Sequence, residues 1–291
     1  MKMYPCWIII PNWNLKDYLI DCLGSVVDMN RSGELHILVV DNGSIDNSVN
    51  AVEEMFGDKI KQISLKANYG YSYAINRGIE KALSNKASSV LLLNNDTIVE
   101  SELLIKLEKA LNQIENGGIF SPAIYNIKDG SLWRFGDREH ALLKIPYRVK
   151  PDSKDSMVAL DYVTGCAMLI TSNVFHKIGL FDERFFMYYE DADFCWRARQ
   201  ARFGVFGIAN ARVFHHVSTS GAFLNDAKVF WQFYSRALFY RKKLSLVRHP
   251  AVFVFIFIKL ISFSLRNLSI SKLKYIHLAW RATWQACQVT I

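Results

Sequence analysis

The chain has 291 residues, 51% of them hydrophobic, and a formal charge of +8. That length and apolar content exclude a disordered protein and fit one large domain, or one domain with an appendage. The charge is unevenly placed: positions 227–291 hold eleven Lys and Arg and no Asp or Glu, leaving 24 basic and 27 acidic residues in front.

The opening MKMYPCWIIIPNWN has too short an apolar run for a signal peptide, and Pro11 interrupts it, so residues 7–10 read as a first buried strand. Apolar runs at 35–40, 60–65 and 90–93 read as further strands, with helices predicted over 16–27, 47–56 and 71–84 between them. This alternation predicts parallel βαβ units of the usual right hand. A helix over 100–114 follows, capped by Ser101 or Thr97. Residues 126–155, rich in polar, Gly and Pro positions, read as an irregular excursion with room for a hairpin. Then come a strand over 162–170, a short helix over 172–178, a helix over 191–201, and an alternating strand ending at His215 and His216. Five scattered cysteines with no CxxC pair argue against a zinc ribbon or a disulfide framework and fit a reducing compartment.

From about Val229 the chain changes character. Residues 250–265 are nearly all apolar, with 17 positions between Arg248 and Arg266, the bottom of the range that crosses a bilayer. Arg241, Lys242, Lys243 and Arg248 flank the run on one side; Arg266, Lys272 and Lys274 flank it on the other, before Trp280 and Trp284 at helical spacing. This pattern predicts amphipathic helices in a membrane interface, ahead of a helical hairpin packed on protein, with a full span last. The cations flank an apolar run rather than form a polar groove, so nucleic acid is not the expected partner.

Three acidic clusters carry the chemistry. VVDNGS (39–44) and LLLNNDT (91–97) each put an Asp where a buried strand leaves the core, the edge at which open α/β sheets bind ligands. Asp41 can accept a hydrogen bond from a base N–H, although Asp-Asn-Gly is also ordinary turn chemistry. NYGYSYAINRGI (68–79) sets Gly70 and Asn76 about a helix start, which suits an anion or nucleotide and equally a plain cap. Asp96 is a hard oxygen ligand for Mg²⁺ or Mn²⁺, or else an N-cap in a strand-to-helix turn. YYEDADFCWR (188–197) sets Glu190, Asp191 and Asp193 among aromatic side chains, where a carboxylate's pKa can be tuned. Arg197 and Arg199 can pair with Asp193, leaving Glu190 or Asp191 for proton transfer. His215 or His216 could complete a metal site with a neutral imidazole.

Taken in order, VVDNGS, NYGYSYAINRGI, LNNDT, TGCAMLI, FDERFFMYYEDADFCWR and VFHH resemble glycosyltransferase family 2 across residues 7–220. Within the family the set is most like the bacterial rhamnosyltransferase-type enzymes of surface polysaccharide synthesis. The resemblance implies a GT-A fold: a Rossmann-like α/β domain over 1–226 with a mostly parallel central sheet flanked by helices. Residues 227–291 would form a helical, membrane-interfacial extension. It further implies inverting, metal-dependent transfer of one sugar from a dTDP-, UDP- or GDP-linked donor to a glycan or polyprenyl-diphosphate-linked acceptor.

Carried over, Pro11, Asn14, Asp41, Asn68, Gly70, Asn76 and Asn95 would serve the donor nucleotide. Thr164, Gly165 and Cys166 would line the donor–acceptor junction. Asp96 would hold Mg²⁺ or Mn²⁺ with His215, and Asp191 would be the base with Glu190 beside it. Two positions depart from the family pattern: Asn42 stands where many members have a second Asp, and Asn94 where the first acid of a DxD motif would be. A QxxRW motif is missing after the acidic cluster, which implies transfer of a single sugar rather than polymerisation. The implied location is the cytoplasm, on the inner membrane face, and the aromatic tail could also pair two copies. The rival readings are a catalytically inactive membrane scaffold, which Asn42 and Asn94 would suit, and a nucleotidyltransferase, whose Gly- and Arg-rich phosphate loop PNWNLKDY does not supply.

Overall fold

Along the first strand, side chains divide alternately between two cores. Trp7 and Ile9 enter one, and Cys6, Ile8 and Ile10 the other, all fully buried, as a period of two demands of a strand covered on both faces. The structure is a computed structural model that describes residues 5–29, 34–142, 144–151, 157–217, 226–244, 250–266 and 273–289. Its first half runs β1 (Cys6–Asn12), α1 (Lys16–Val27), β2 (Leu35–Asp41), α2 (Ser48–Phe56), β3 (Ile60–Ser64), α3 (Tyr71–Ser84) and β4 (Ser89–Leu93). These strands are parallel in the order β4-β1-β2-β3. Successive strands leave β1 in opposite directions, which creates a switch point between β1 and β4 at their C-terminal ends.

Pro11 fits inside β1 because β4 stops pairing at Ile9, so the missing N–H breaks no ladder bond on that side.

The second half is β5 (Thr97–Val99), α4 (Leu103–Leu111), β6 (Gly118–Asn126), β7 (Leu132–Arg134), β8 (Gly136–Glu139), β9 (Pro146–Val149), β10 (Met157–Ala159), β11 (Ala167–Thr171), α5 (Ser172–Ile178), α6 (Glu190–Gln200) and β12 (Gly204–His215). Here the sheet turns mixed: β11 lies antiparallel between β4 and β6, while β12 runs parallel to β6. Several sequence expectations shift. The strand expected over 162–170 begins only at Ala167, because residues 164–166 bend to meet Asn94 and Asp191. Neither Ser101 nor Thr97 caps α4, whose first turn has no side-chain cap; Thr97 sits in β5 and donates to the Asn94 carbonyl, 2.7 Å. The excursion holds a real hairpin, β8–β9.

The C-terminal part forms α7 (Asp226–Lys243), α8 (Pro250–Arg266) and α9 (Leu273–Gln288). Helix α7 is built into the larger core through Ala237, Leu238, Phe239 and Tyr240 on one side, and packs on α8 and α9 through Val229 and Phe233 on the other. Lys242 is buried in ion pairs with Asp182 and Asp193, each 2.6 Å, and Lys243 contacts the Glu139 carboxylate and the Tyr162 hydroxyl. The flanking Arg248 and Lys272, and the last residues of the family-like stretch, 218–220, lie outside the described residues. Among the described residues no helix is long and apolar enough to cross a membrane. All five cysteines are free, four of them buried.

Candidate active site

The strand ends predicted to carry chemistry meet at one sheet edge. Asp41 closes β2 and is almost wholly buried; its carboxylate accepts from Asn12 Nδ2 and from the Ser44 N–H, both 2.9 Å. Gly43 makes that turn possible: its φ is +79° and a Cβ would lie 2.6 Å from the Ala67 backbone. Asn12 carries the contact across the switch point, accepting from Asn95 Nδ2 at 2.7 Å. Asn14, in the left-handed region, accepts from the Ile45 N–H through its side chain. Pro11, Asn14, Asp41 and Asn95 therefore share one pocket wall, with Asn12 and Ser44, which the sequence did not single out, as its joints.

Asn42 explains itself. Its amide donates to Asn68 Oδ1 (2.9 Å) and to the Gly70 carbonyl (3.1 Å), and its oxygen accepts from the Tyr69 N–H (3.0 Å). A carboxylate could not donate either bond, so the residue that departs from the family pattern holds the 68–70 loop in place. Asn76 is the exception among the expected donor residues. Its amide is spent on the Phe181 backbone and on Glu183, which makes it a brace between α3 and the segment before α6, away from the strand ends.

Asp96 and His215 come together through register. β5 pairs antiparallel with β12 so that Thr97 faces His215, and the His216 N–H donates to the Asp96 carbonyl. Asp96 Oδ1 lies 3.1 Å from His215 Nε2 without the alignment of a hydrogen bond. Both residues are buried, and Asp96 Oδ1, His215 Nδ1 and Asn94 Oδ1 are all without a hydrogen-bond partner. Orphaned buried polar atoms are costly unless a ligand completes them. A hard carboxylate oxygen and an imidazole nitrogen, left open together, fit a divalent cation whose remaining positions come from water or phosphate. Among the described residues no group of three His, Cys, Asp or Glu forms a closed cage. Trp133 of β7, 4.7 Å from the His215 ring, orients the imidazole. It sits in the excursion that the sequence left unassigned.

The carboxylates Glu190 and Asp191 open α6. Two consecutive tyrosines before them, Tyr188 (φ 70°) and Tyr189 (φ 65°), adopt left-handed backbone, a strained arrangement that surrounding contacts must hold. Ser235 Oγ donates to the Met187 carbonyl (2.8 Å) and Arg236 Nε to the Tyr189 hydroxyl (2.9 Å), both from α7. Asp191 accepts from the Gly165 N–H (3.0 Å) and the Ala192 N–H (2.7 Å), so the expected Thr164–Cys166 junction stands directly against it. Cys166 in turn accepts the Asn94 N–H.

Burial raises the pKa of both carboxyls, and the Asp191 charge pushes Glu190 higher still. Glu190 Oε2 has no hydrogen-bond partner, whereas two amides and the Arg134 charge favour the ionised form of Asp191. The proton of the pair belongs on Glu190, and Asp191 is the carboxylate. Tyr71, its own pKa raised well above normal by burial and then by Glu190, stays a neutral phenol donating to the Gly165 carbonyl, 3.0 Å. Of the two arginines expected to neutralise Asp193, Arg197 does so (2.8 Å); Arg199 pairs with Asp161 and Lys242 takes its place.

An open α/β sheet with acids at successive strand ends, and a buried carboxyl pair facing them, defines a nucleotide-dependent transferase class of site. The family model for glycosyl transferase family 2 matches residues 7–176, more than half of the chain, and the chain belongs to that family. It is 33% identical over 185 residues to a low-salt glycan biosynthesis hexosyltransferase of Haloferax volcanii, covering 60% of this chain and 56% of that protein. It is 26% identical over 212 residues to an N-acetylglucosaminyl-diphospho-decaprenol L-rhamnosyltransferase of Mycobacterium tuberculosis, covering 63% and 67%. The chain thus spans little more than half the length of the first of these relatives. Among solved structures, a mannosyltransferase from Pyrobaculum calidifontis in complex with GDP-Man and Mn²⁺ superposes with a TM-score of 0.62 over 100% of this chain and 77% of that one, at 14% identity. That likeness confirms the GT-A type of fold.

Proposed function

We propose that this protein transfers a single sugar, with inversion, from a nucleoside-diphosphate sugar to a hydroxyl of a glycan or lipid-linked acceptor in cell-surface polysaccharide synthesis. What carries the reading is the asymmetric carboxyl pair: Glu190 buried and unpartnered, Asp191 held by two amides, beside the junction residues Thr164, Gly165 and Cys166. Environments that push two carboxyls apart assign acid and base. Asp191 is placed to take the proton of the attacking hydroxyl, which gives a single displacement and inversion. Asp41, with Pro11, Asn14 and Asn95, would receive the base and ribose of the donor, and the Asn68–Gly70 loop would border it. Asp96 and His215 would hold Mg²⁺ or Mn²⁺. Such an ion, when bound, supplies Lewis-acid neutralisation of the leaving diphosphate.

Three findings on relatives support these finer points. The mycobacterial relative's name specifies a diphospho-decaprenol acceptor and rhamnose; the Pyrobaculum structure holds GDP-Man with Mn²⁺; another solved structure, GalNAc-T7, holds UDP with Mn²⁺. The extension over 227–291 would lie on the cytoplasmic membrane face, since α8 and α9 expose Phe257, Ile258, Leu265 and Trp284 among cations.

The deciding experiment is a thermal-shift screen of UDP-, dTDP- and GDP-sugars with and without Mn²⁺ or Mg²⁺, followed by assay of released nucleoside diphosphate. Stabilisation that needs one nucleotide and a metal together, with slow nucleotide release, is the expected outcome. No shift with any pair would return the protein to the inactive-scaffold reading.

A further inference from the structure

The C-terminal helices enclose a feature that the transferase reading leaves unused. Between α7 and α8 lies a cavity of about 190 Å³ whose wall includes Arg236, Lys259 and Arg266, with Gln232 and Ser262 as neutral hydrogen-bonding groups. No Asp or Glu occurs anywhere in residues 227–291, so the extension supplies no carboxylate of its own to offset these three cations. Such a concentration of positive charge on a hydrogen-bonding wall suits a phosphate or diphosphate.

A second, more open hollow of about 400 Å³ adjoins it, sharing Ser262 and Arg266. Its other lining residues, Ile258, Ile261 and Leu265, recur at helical spacing on the outer side of α8 and are exposed. A cationic cup opening onto an apolar trough is complementary to an amphiphile with an anionic head and a hydrocarbon chain, and to neither half alone. The cup also touches the catalytic segment: Arg236 bonds the Tyr189 hydroxyl, and Tyr189 immediately precedes Glu190 and Asp191.

We propose that this composite site binds the diphosphate and the first isoprenoid units of a polyprenyl-diphosphate-linked acceptor, presenting its sugar toward Asp191. The proposal rests on the transferase reading for its direction, while the site itself stands on the geometry of α7 and α8. It differs from a general affinity for lipid surfaces, because the head group is taken by a defined cup rather than by scattered surface charge.

Farnesyl diphosphate is a soluble probe of the same chemistry. In metal-free buffer, which keeps it out of the donor site, it should stabilise the protein at concentrations at least about tenfold lower than inorganic diphosphate or farnesol. The double variant Lys259→Gln with Arg266→Gln changes only exposed side chains, and it should weaken that response about tenfold or more. It should leave nucleotide- and metal-dependent stabilisation and acceptor-free nucleotide release unchanged. Equal responses to farnesyl diphosphate and inorganic diphosphate would reduce the site to a cation patch and overturn the proposal. An unchanged response in the double variant would place the ligand elsewhere and overturn it too. Binding to phosphatidylglycerol vesicles without any response to farnesyl diphosphate would replace it with a plain bilayer contact. Farnesyl diphosphate binding in a protein that releases no nucleotide from any sugar donor would leave the site standing and sink the transferase reading instead.

Discussion

Asp191 and Glu190 are neighbours in the chain with opposite fates, and each can be tested alone. Replacing Asp191 by Asn keeps the shape and an acceptor oxygen for the Gly165 amide but removes the base; turnover should fall by about 10²–10⁴ while donor affinity, read by calorimetry, is kept. The wild-type rate should decline on the acid side at a pH above 3.8, the ordinary Asp value, because burial raises the pKa of the carboxyl that must be ionised. Glu190 affects stability with a definite sign. Its folded pKa is raised well above 4.5, so the folded chain holds its proton where the unfolded chain has released it. That contribution is complete below pH 4.5 and is lost as pH rises toward the folded pKa. Glu190→Gln should therefore gain stability relative to wild type as pH climbs from about 5 to 8, by about 1–3 kcal/mol in denaturant titrations, the cost of an unsatisfied buried group. Asp96→Ala should abolish the part of donor binding that needs Mn²⁺ or Mg²⁺, seen as a thermal shift that no longer responds to metal.

At the scale of elements, the lesson is how much of α6 depends on α7. The Ser235 hydroxyl is fully buried and satisfies the Met187 carbonyl just ahead of the two left-handed tyrosines. Ser235→Ala orphans that carbonyl, so it should cost about 1–3 kcal/mol of stability. It should also lower kcat more than it weakens donor binding, because the donor wall at Asp41 does not touch α7; urea unfolding and a kcat-against-KM comparison would separate the two.

This division also marks what could be read from the chain. Strands β1 to β4 and helices α1 to α3 were legible because each carries its own period, and Lys16–Val27 and Tyr71–Ser84 fall where the pattern placed them. Asp41 and Asp96 were legible because an acid directly after a buried run must sit at a strand end. The role of Asn42 was not, since an amide's value depends on partners 26 and 28 positions away. Asn76 misled for the same reason: a polar residue near a helix start looks alike whether it meets a ligand or, as here, the Phe181 backbone. Nor could local pattern reveal the approach of His215 to Asp96, which follows from the register of β12 on β5.

For the whole molecule, the uneven charge along the sequence becomes a polarity of surface. The acidic sheet edge faces its ligand, while α8 and α9 present Phe257, Ile261 and Trp284 to solvent. Exposed aromatic and aliphatic residues flanked by cations partition into the headgroup region. The triple variant Phe257→Ser, Ile261→Ser and Trp284→Ser removes exposed side chains only. It should shift the protein from membrane to soluble fractions by at least about tenfold, since each large apolar side chain contributes about 1.5–3 kcal/mol when buried. Unchanged flotation with anionic vesicles would instead favour contacts between copies of this chain.

The dependence of α6 on α7 has a bearing on how the protein is made. A ribosome delivers the donor wall first, and chains fold from the N-terminus as they emerge. The strained Tyr188–Tyr189 turn, however, waits for Ser235, Arg236 and Lys242, among the last residues to leave the exit tunnel. A nascent chain can thus shape its nucleotide edge long before it can set its base. An unfinished polypeptide that could already split activated sugars would waste them in water; here the final turn of α7 acts as the release on the trigger.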